Sequence, residues 1–171
     1  MDKAQFDGLV LMGPFGSGKT FLGKRLSALN IAQYVDLEPI MYDRFSSGDQ
    51  FDLERATTFL REHYEEQLST PHLATFESTG VVQRPLLCDM IAKYNIALIR
   101  VCTPKHICLE RVVQRNRHTN RPIDLAKANE FFDHWNDEIA PTYNFALELD
   151  GMDTDTAVKN IQTLTTTVSP K

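Results

Sequence analysis

The chain has 171 residues, of which 42% are hydrophobic and 24% are charged, and its formal net charge is −5. This length and composition predict one globular domain over residues 1–171. The acidic balance argues against a general nucleic-acid-binding surface. No run approaches the roughly 20 apolar residues that cross a bilayer. The first residues lack the pattern of a secretory signal, so we expect a cytoplasmic location and no membrane partner.

Short apolar runs alternate with longer helix-patterned segments along the chain. Strands are predicted near residues 9–12, 33–36, 73–77, 96–102 and 146–149. Helices are predicted near residues 19–29, 52–68, 84–94, 105–117, 125–138 and 154–166. Thr103 is expected to cap the helix that begins at Pro104. The alternation predicts a three-layer α/β domain with a mostly parallel sheet, whose site lies beyond the carboxyl ends of the strands.

A glycine-rich motif joins the first predicted strand to the first predicted helix. The segment GPFGSGKT matches G-x-x-x-x-G-K-[ST] at every fixed position. Its glycines let successive N–H groups point at phosphate oxygens, and the helix start adds the positive end of a dipole. The motif predicts that Lys19 reaches the β- and γ-phosphates and that Thr20 ligates Mg²⁺. We therefore expect Mg·ATP, or a close relative, to bind at Gly13, Phe15, Gly16, Ser17, Gly18, Lys19 and Thr20.

With the remaining segments added, residues 8–165 resemble the small P-loop kinases of the shikimate kinase, gluconate kinase and adenylate kinase group. The resemblance rests on the phosphate loop together with weaker correspondences described below. It implies a P-loop NTPase fold, with a five-stranded parallel sheet in the order 2-3-1-4-5 and a mobile helical lid. It also implies ATP-dependent phosphorylation of a small acceptor.

Acidic residues end the second and third predicted strands. Asp36 and Glu38 resemble the D-x-D acceptor motif of the group, which implies that Asp36 orients the acceptor hydroxyl and takes its proton late in transfer. Glu77 is expected to contact Mg²⁺ or the acceptor, and Gly80 to let the backbone approach the acceptor closely. The alternative for the carboxylates at 36 and 38 is a solvated position capping the next helix.

Arginines are concentrated in the segment CLERVVQRNRHTNR. Arg111 and Arg115 are four residues apart and share one helix face, and Arg121-Pro122 matches the R-P lid motif of the group. The resemblance implies a lid over residues 111–124, in which Arg115 and Arg121 stabilise the transferring phosphoryl group and Arg111 contacts the nucleotide. The alternative is a solvated helix whose arginines pair with nearby carboxylates.

Residues 39–67 are expected to bind the acceptor, with Arg44 available to an anionic group. Asp52 stands where shikimate kinases carry an arginine, and residues 134–143 contain no arginine. Shikimate itself is therefore not expected. Three functions remain open at this point: a kinase acting on a small-molecule hydroxyl, a nucleoside or nucleotide kinase, and a non-catalytic nucleotide sensor.

Overall fold

The computed structural model describes residues 5–47, 50–81, 83–119, 122–151 and 153–166. The strands are β1 (Gly8–Met12), β2 (Gln33–Tyr34), β3 (Ser46–Ser47), β4 (Gln50–Phe51), β5 (Ala74–Ser78), β6 (Ile96–Cys102) and β7 (Leu147–Asp150). The helices are α1 (Lys19–Ala28), α2 (Glu38–Phe45), α3 (Leu53–Leu68), α4 (Arg84–Lys93), α5 (Lys105–Asn116), α6 (Leu125–His134) and α7 (Thr154–Thr166). A π-helical turn, Trp135–Ile139, and a 3₁₀ turn, Ala140–Thr142, follow α6.

The described strands form one five-stranded sheet in the order β2-β5-β1-β6-β7, and β3 and β4 form a separate pair. Each pairing within the larger sheet is parallel, and β3 and β4 are antiparallel. Numbered within the sheet alone, this order is the predicted 2-3-1-4-5. Strand β1 lies at its centre, with Leu11 beside Glu77 on one side and Ile99 on the other. The order predicted from the resemblance is confirmed.

Helices cover both faces of the sheet, which gives the predicted three layers. Alternate residues of a strand point to opposite faces. Val10 of β1 accordingly packs in a buried cluster with residues of α2, α3, α4 and the π-helical turn. Leu9 and Leu11 pack in a second cluster with residues of α1 and α7. A strand buried on both faces needs a continuous apolar run, which explains the sequence of β1.

The structure corrects several predicted boundaries near the site. The second strand ends at Tyr34, so Asp36 lies in the connection before α2 rather than in a strand. Helix α2 was not predicted, because its eight residues include a proline in the first turn and bury only Met41. The helix predicted over 125–138 ends at His134, where the π-helical turn begins.

The predicted cap of α5 is wrong, although the helix begins at Lys105, as its predicted range did. Pro104 rather than Thr103 is the N-cap residue, and no side chain caps the helix. The Thr103 hydroxyl instead donates a hydrogen bond of 2.8 Å to the carbonyl of Ser17. Thr103 therefore holds the phosphate loop rather than the end of the helix. Within the ranges that the structure describes, no helix has the length and apolar character needed to span a membrane.

Candidate active site

The side chain of Lys19 is folded into the loop between β1 and α1. Its Nζ donates hydrogen bonds of 2.9 Å to the carbonyls of Gly13 and Pro14, and the residue is 9% exposed. Burial lowers the pKa of Lys19, and the negative charges of Glu77 and Glu38 act in the opposite direction. A phosphate oxygen entering the loop could replace either carbonyl as the acceptor of these hydrogen bonds.

The start of α1 has the features of an anion site. Gly18 is the N-cap residue, no side chain caps the helix, and its first turn contains no acidic residue. The first N–H groups of a helix have no partner within it, and they carry the positive end of the helix dipole. Gly16 has a φ of 76°, and a Cβ there would collide with the carbonyl of Cys108. The loop therefore requires glycine at 16 to leave its backbone open to phosphate.

The carboxylate of Glu77 lies at the hydroxyl of Thr20. Thr20 Oγ1 is 3.0 Å from Glu77 Oε1 and 2.9 Å from Oε2. The Tyr34 hydroxyl donates a further hydrogen bond of 2.9 Å to Glu77 Oε1. Hard oxygen donors beside a phosphate site are what Mg²⁺ prefers, because the ion completes its octahedron with phosphate oxygens and water. Thr20 and Glu77, the predicted metal residues, therefore fit this ion.

The negative charges of acidic residues from separate segments affect the pKa of Tyr64, a residue of α3. Burial raises the pKa of Tyr64, and the charges of Glu77, Asp36 and Glu38 raise it further. Burial also raises the pKa of Tyr34, with Glu77 next in effect and Asp36 contributing less. Of these carboxylates, Glu77 is in direct contact with a phenol, through the hydrogen bond from Tyr34. Acceptor binding by Asp36 and Glu38 remains a prediction.

Helix α5 contacts both the phosphate loop and α2. Arg111 Nη1 donates a hydrogen bond of 3.1 Å to the carbonyl of Gly16. Arg115 Nη2 lies 3.6 Å from Glu38 Oε1, and both side chains are about half exposed. An exposed ion pair contributes at most about 1 kcal/mol, so Arg115 can exchange Glu38 for an anionic ligand at little cost.

The loop that follows α5 is closed at its base. The side-chain amide of Asn116 donates to the carbonyl of Ile123 at 2.7 Å, and its oxygen accepts from the Ile123 N–H at 2.8 Å. The two residues joined by these hydrogen bonds enclose most of the predicted lid, residues 111–124. Arg121, the second arginine predicted to stabilise the phosphoryl group, lies outside the described residues. Its role remains a prediction.

Two other predicted acceptor residues have protein neighbours of their own. The Arg44 guanidinium lies 5.4 Å from the ring centre of Phe59, at the end of α2 away from Glu38. Gly80 has a φ of 74°, and a side chain there would meet Met12 and Tyr143. Glycine is therefore required at 80 by packing within the protein. Acceptor binding by Arg44 and Gly80 remains a prediction.

Sequence reasoning missed the tyrosines of the site. Tyr34 stands two residues before Asp36, and this period-2 spacing could have placed both on one strand face. Tyr64 lies in the middle of α3 among polar residues, where no local pattern distinguishes it. Trp135 is buried, and its indole N–H donates a hydrogen bond of 2.8 Å to the carbonyl of Thr79.

The parallel sheet and the glycine-rich loop with its buried lysine define a P-loop protein with the fold of the small kinases. A family model described as an AAA domain matches residues 9–131, which is more than half of the chain. The chain therefore belongs to this family of AAA domains. No curated protein sequence matches the chain.

Solved structures with this fold include two shikimate kinases and a nucleoside kinase. Shikimate kinase from Bacteroides thetaiotaomicron has a TM-score of 0.65 and 18% identity, covering 92% of this chain and 97% of that chain. Shikimate kinase from Acinetobacter baumannii, in complex with shikimate, has a TM-score of 0.61 and 16% identity, covering 92% and 91%. Deoxyadenosine kinase from M. mycoides, with bound dATP, has a TM-score of 0.60 and 12% identity, covering 90% and 96%. At these identities the likeness establishes the shared fold alone.

Proposed function

We propose that the protein is an ATP-dependent phosphotransferase that moves the γ-phosphate of Mg·ATP to a hydroxyl of a small molecule. The observation that carries the proposal is the contact of Thr20 Oγ1 with both oxygens of Glu77, at 2.9 and 3.0 Å. This contact puts a strand-end carboxylate at the hydroxyl of the phosphate loop, where a nucleotide-bound metal ion belongs. The kinases among the similar structures support the same class of reaction.

The nucleotide would be held by the loop and by α5. The N–H groups at the start of α1 would bind phosphate oxygens, and Lys19 would leave the carbonyls of Gly13 and Pro14 to reach the β- and γ-phosphates. Thr20 and Glu77 would hold Mg²⁺, which supplies positive charge beside the phosphates when bound. Arg111 already contacts the loop and would lie beside the nucleotide.

The acceptor would be oriented by Asp36. Its carboxylate would accept a hydrogen bond from the acceptor hydroxyl and take the proton as the new O–P bond forms. The bond between the γ-phosphorus and its bridging oxygen breaks, and ADP leaves with that electron pair. Arg115, now paired with Glu38, would turn to the equatorial oxygens of the transferring group and stabilise their charge.

The acceptor class follows from the polar character of the site. Asp36 and Glu38 can accept hydrogen bonds from hydroxyl or amino groups, and their negative charges oppose a strongly anionic acceptor. This composition favours a hydroxylated neutral molecule, including the sugar of a nucleoside, over a hydroxy acid of the shikimate type.

The test is phosphoryl transfer from Mg·ATP across sugars, polyols, hydroxy acids, nucleosides and nucleoside monophosphates, measured as phosphorylated product by mass spectrometry. Asp36→Asn keeps the shape of the side chain but cannot take the proton, so it should abolish transfer while calorimetric ATP binding persists. Asp155→Asn, which changes an exposed aspartate of α7 outside the region expected to bind the acceptor, is the matched control and should retain transfer. ATP binding without transfer to any acceptor would contradict the kinase and favour the nucleotide sensor. Full transfer by Asp36→Asn would remove Asp36 from the mechanism.

A further inference from the structure

Two side chains of residues 135–143, the segment that begins with the π-helical turn, donate hydrogen bonds to the turn that follows β5. The Trp135 indole N–H donates to the carbonyl of Thr79 at 2.8 Å. The Tyr143 hydroxyl donates to the next carbonyl, that of Gly80, at 2.7 Å. Two consecutive carbonyls of a turn beside Glu77 therefore depend on side chains of one segment. A shift of that segment must move the turn or break both hydrogen bonds.

One helical turn before Trp135, the same side of the helix contacts the phosphate loop. Phe131 lies four residues before Trp135, a spacing that puts both side chains on one side of a helix. The ring of Phe131 packs on that of Phe15 in the loop, with ring centres 4.8 Å apart. Phe15 is one of the two loop residues between Gly13 and Gly16. The face thus contacts the nucleotide loop at one end and the turn beside Glu77 at the other.

Trp135 also packs against the sheet, through Arg100 of β6. The Arg100 guanidinium lies 5.6 Å from the ring centre of Trp135, and its Nη2 donates a hydrogen bond of 3.0 Å to Asn136 Oδ1. Arg100 Nη1 donates a second hydrogen bond of 3.0 Å to Glu148 of β7. Trp135 is 1% exposed, so the surrounding atoms leave it no room to absorb a displacement. Phe131, Trp135 and the turn are therefore joined by a continuous series of contacts.

We propose that Phe131 and Trp135 are positioning residues that couple nucleotide binding at the phosphate loop to the placement of the turn at Thr79 and Gly80. Nucleotide entering the loop shifts Phe15, Phe131 follows, and Trp135 moves the turn that forms one wall of the acceptor site. The inference rests on the proposed binding of a nucleotide at this loop. It adds that the acceptor wall takes its working position only when the loop is filled.

Trp135 is the single tryptophan of the chain, so its fluorescence reports this contact alone. It is buried, and a ligand in the loop cannot touch it. The experiment titrates Mg·ADP into the wild type and records both the heat of binding and the emission of Trp135. We expect a saturable change in emission with the midpoint of the calorimetric titration. Phe131→Leu should bind Mg·ADP with nearly the same affinity but lose more than half of the emission change.

Phe132→Leu is the matched control, because Phe132 is the adjacent half-buried phenylalanine and lies over Lys105 rather than Phe15. It should keep the full response. Calorimetric binding without an emission change in the wild type would overturn the coupling and leave the proposed function intact. A full response in Phe131→Leu would also overturn it. Absence of Mg·ADP binding to the wild type would overturn both proposals.

A second variant tests the other end of the path. Trp135→Phe keeps most of the ring but cannot donate to Thr79. In the wild type we expect hydrogen exchange at residues 79–81 to slow when Mg·ADP binds. We expect Trp135→Phe to bind Mg·ADP normally without this slowing. Slowing that persists in Trp135→Phe would contradict a role for the indole hydrogen bond in the coupling.

Discussion

The carboxylate of Glu77 accepts hydrogen bonds from two hydroxyls, those of Thr20 and Tyr34. Only Thr20 belongs to the phosphate-loop motif. The Tyr34 hydroxyl donates to Glu77 Oε1, an oxygen that Thr20 also contacts. A carboxylate whose orientation is set by a second group is held more firmly toward a metal ion. The ring of Tyr34 can take this position because Gly23 of α1 leaves room for it, and a Cβ at that residue would overlap the ring.

This arrangement predicts how stability depends on alkaline pH. Burial and the neighbouring charge of Glu77 raise the pKa of Tyr34 above its ordinary value of about 10. Below that pH the phenol is protonated in both the folded and unfolded states, and its stabilising contribution is complete. As the pH rises further, the unfolded chain ionises first, so stability falls by at most about 1.4 kcal/mol per pH unit for this group.

The measurement is urea unfolding of the wild type and Tyr34→Phe between pH 9 and pH 11, a range chosen around the ordinary tyrosine pKa of about 10. The wild type should be the more stable protein at the lower pH, because Tyr34→Phe loses the hydrogen bond to Glu77. The difference in the free energy of unfolding between the wild type and Tyr34→Phe should shrink as the pH rises. An advantage that stays constant or grows would show that the phenol pKa is not raised by folding.

At the scale of helices and strands, long periodic segments were predicted well and short ones were not. Helix α7 has the predicted bounds, and α3 and α5 begin or end within one residue of them. Helix α2 and the β3–β4 pair are too short for a period to emerge from the sequence, and tertiary contacts stabilise them. The π-helical turn after α6 needs an extra residue within a helical pattern, which no local signal announces.

The candidate site likewise has parts that could be predicted from the sequence and parts that could not. The phosphate loop was predictable because its chemistry fixes residue types at fixed spacing, and the structure buries Lys19 in this loop and sets Thr20 beside Glu77. Their contacts with phosphate and Mg²⁺ remain predictions. The pairing of Arg115 with Glu38 joins two segments far apart in the sequence. The hydrogen bond from Tyr34 to Glu77 likewise joins segments far apart in the sequence. Such contacts depend on how separate segments pack, which the sequence did not specify.

The N-terminus of α3 provides a test of one local contact. Asp52 is its N-cap residue, and Asp52 Oδ1 accepts a hydrogen bond of 3.0 Å from the Arg55 N–H. Asp52→Ala should lower the free energy of unfolding by about 1 kcal/mol, because the first turn loses its cap. Urea unfolding would measure the change.

Asp43→Ala is the control for this variant. It removes an exposed aspartate from within α2, where alanine has the higher helix propensity, so little or no loss is expected. An equal loss in both variants would mean that removal of negative charge, rather than loss of the cap, destabilises the protein.

Across the whole molecule, the sheet places donor and acceptor residues at one edge. The phosphate loop follows the central strand β1, Glu77 lies near the end of the adjacent β5, and Asp36 follows β2 beyond it. The carboxyl ends of parallel strands meet at one edge, so three neighbouring strands bring the loop, Glu77 and Asp36 to that edge, where their proposed roles in binding metal and acceptor can be combined. Helix α5, after β6, brings Arg111 and Arg115 to the same edge.

The central claim is that this edge binds Mg·ATP through the phosphate loop, and calorimetric titration tests it most directly. Wild type and Lys24→Met, which alters an exposed lysine of the same helix, should bind with equal affinity. Lys19→Met should bind roughly 10- to 100-fold more weakly, because it loses a charged hydrogen bond to the phosphates. Equal binding by Lys19→Met and Lys24→Met, or no binding by the wild type, would contradict the account.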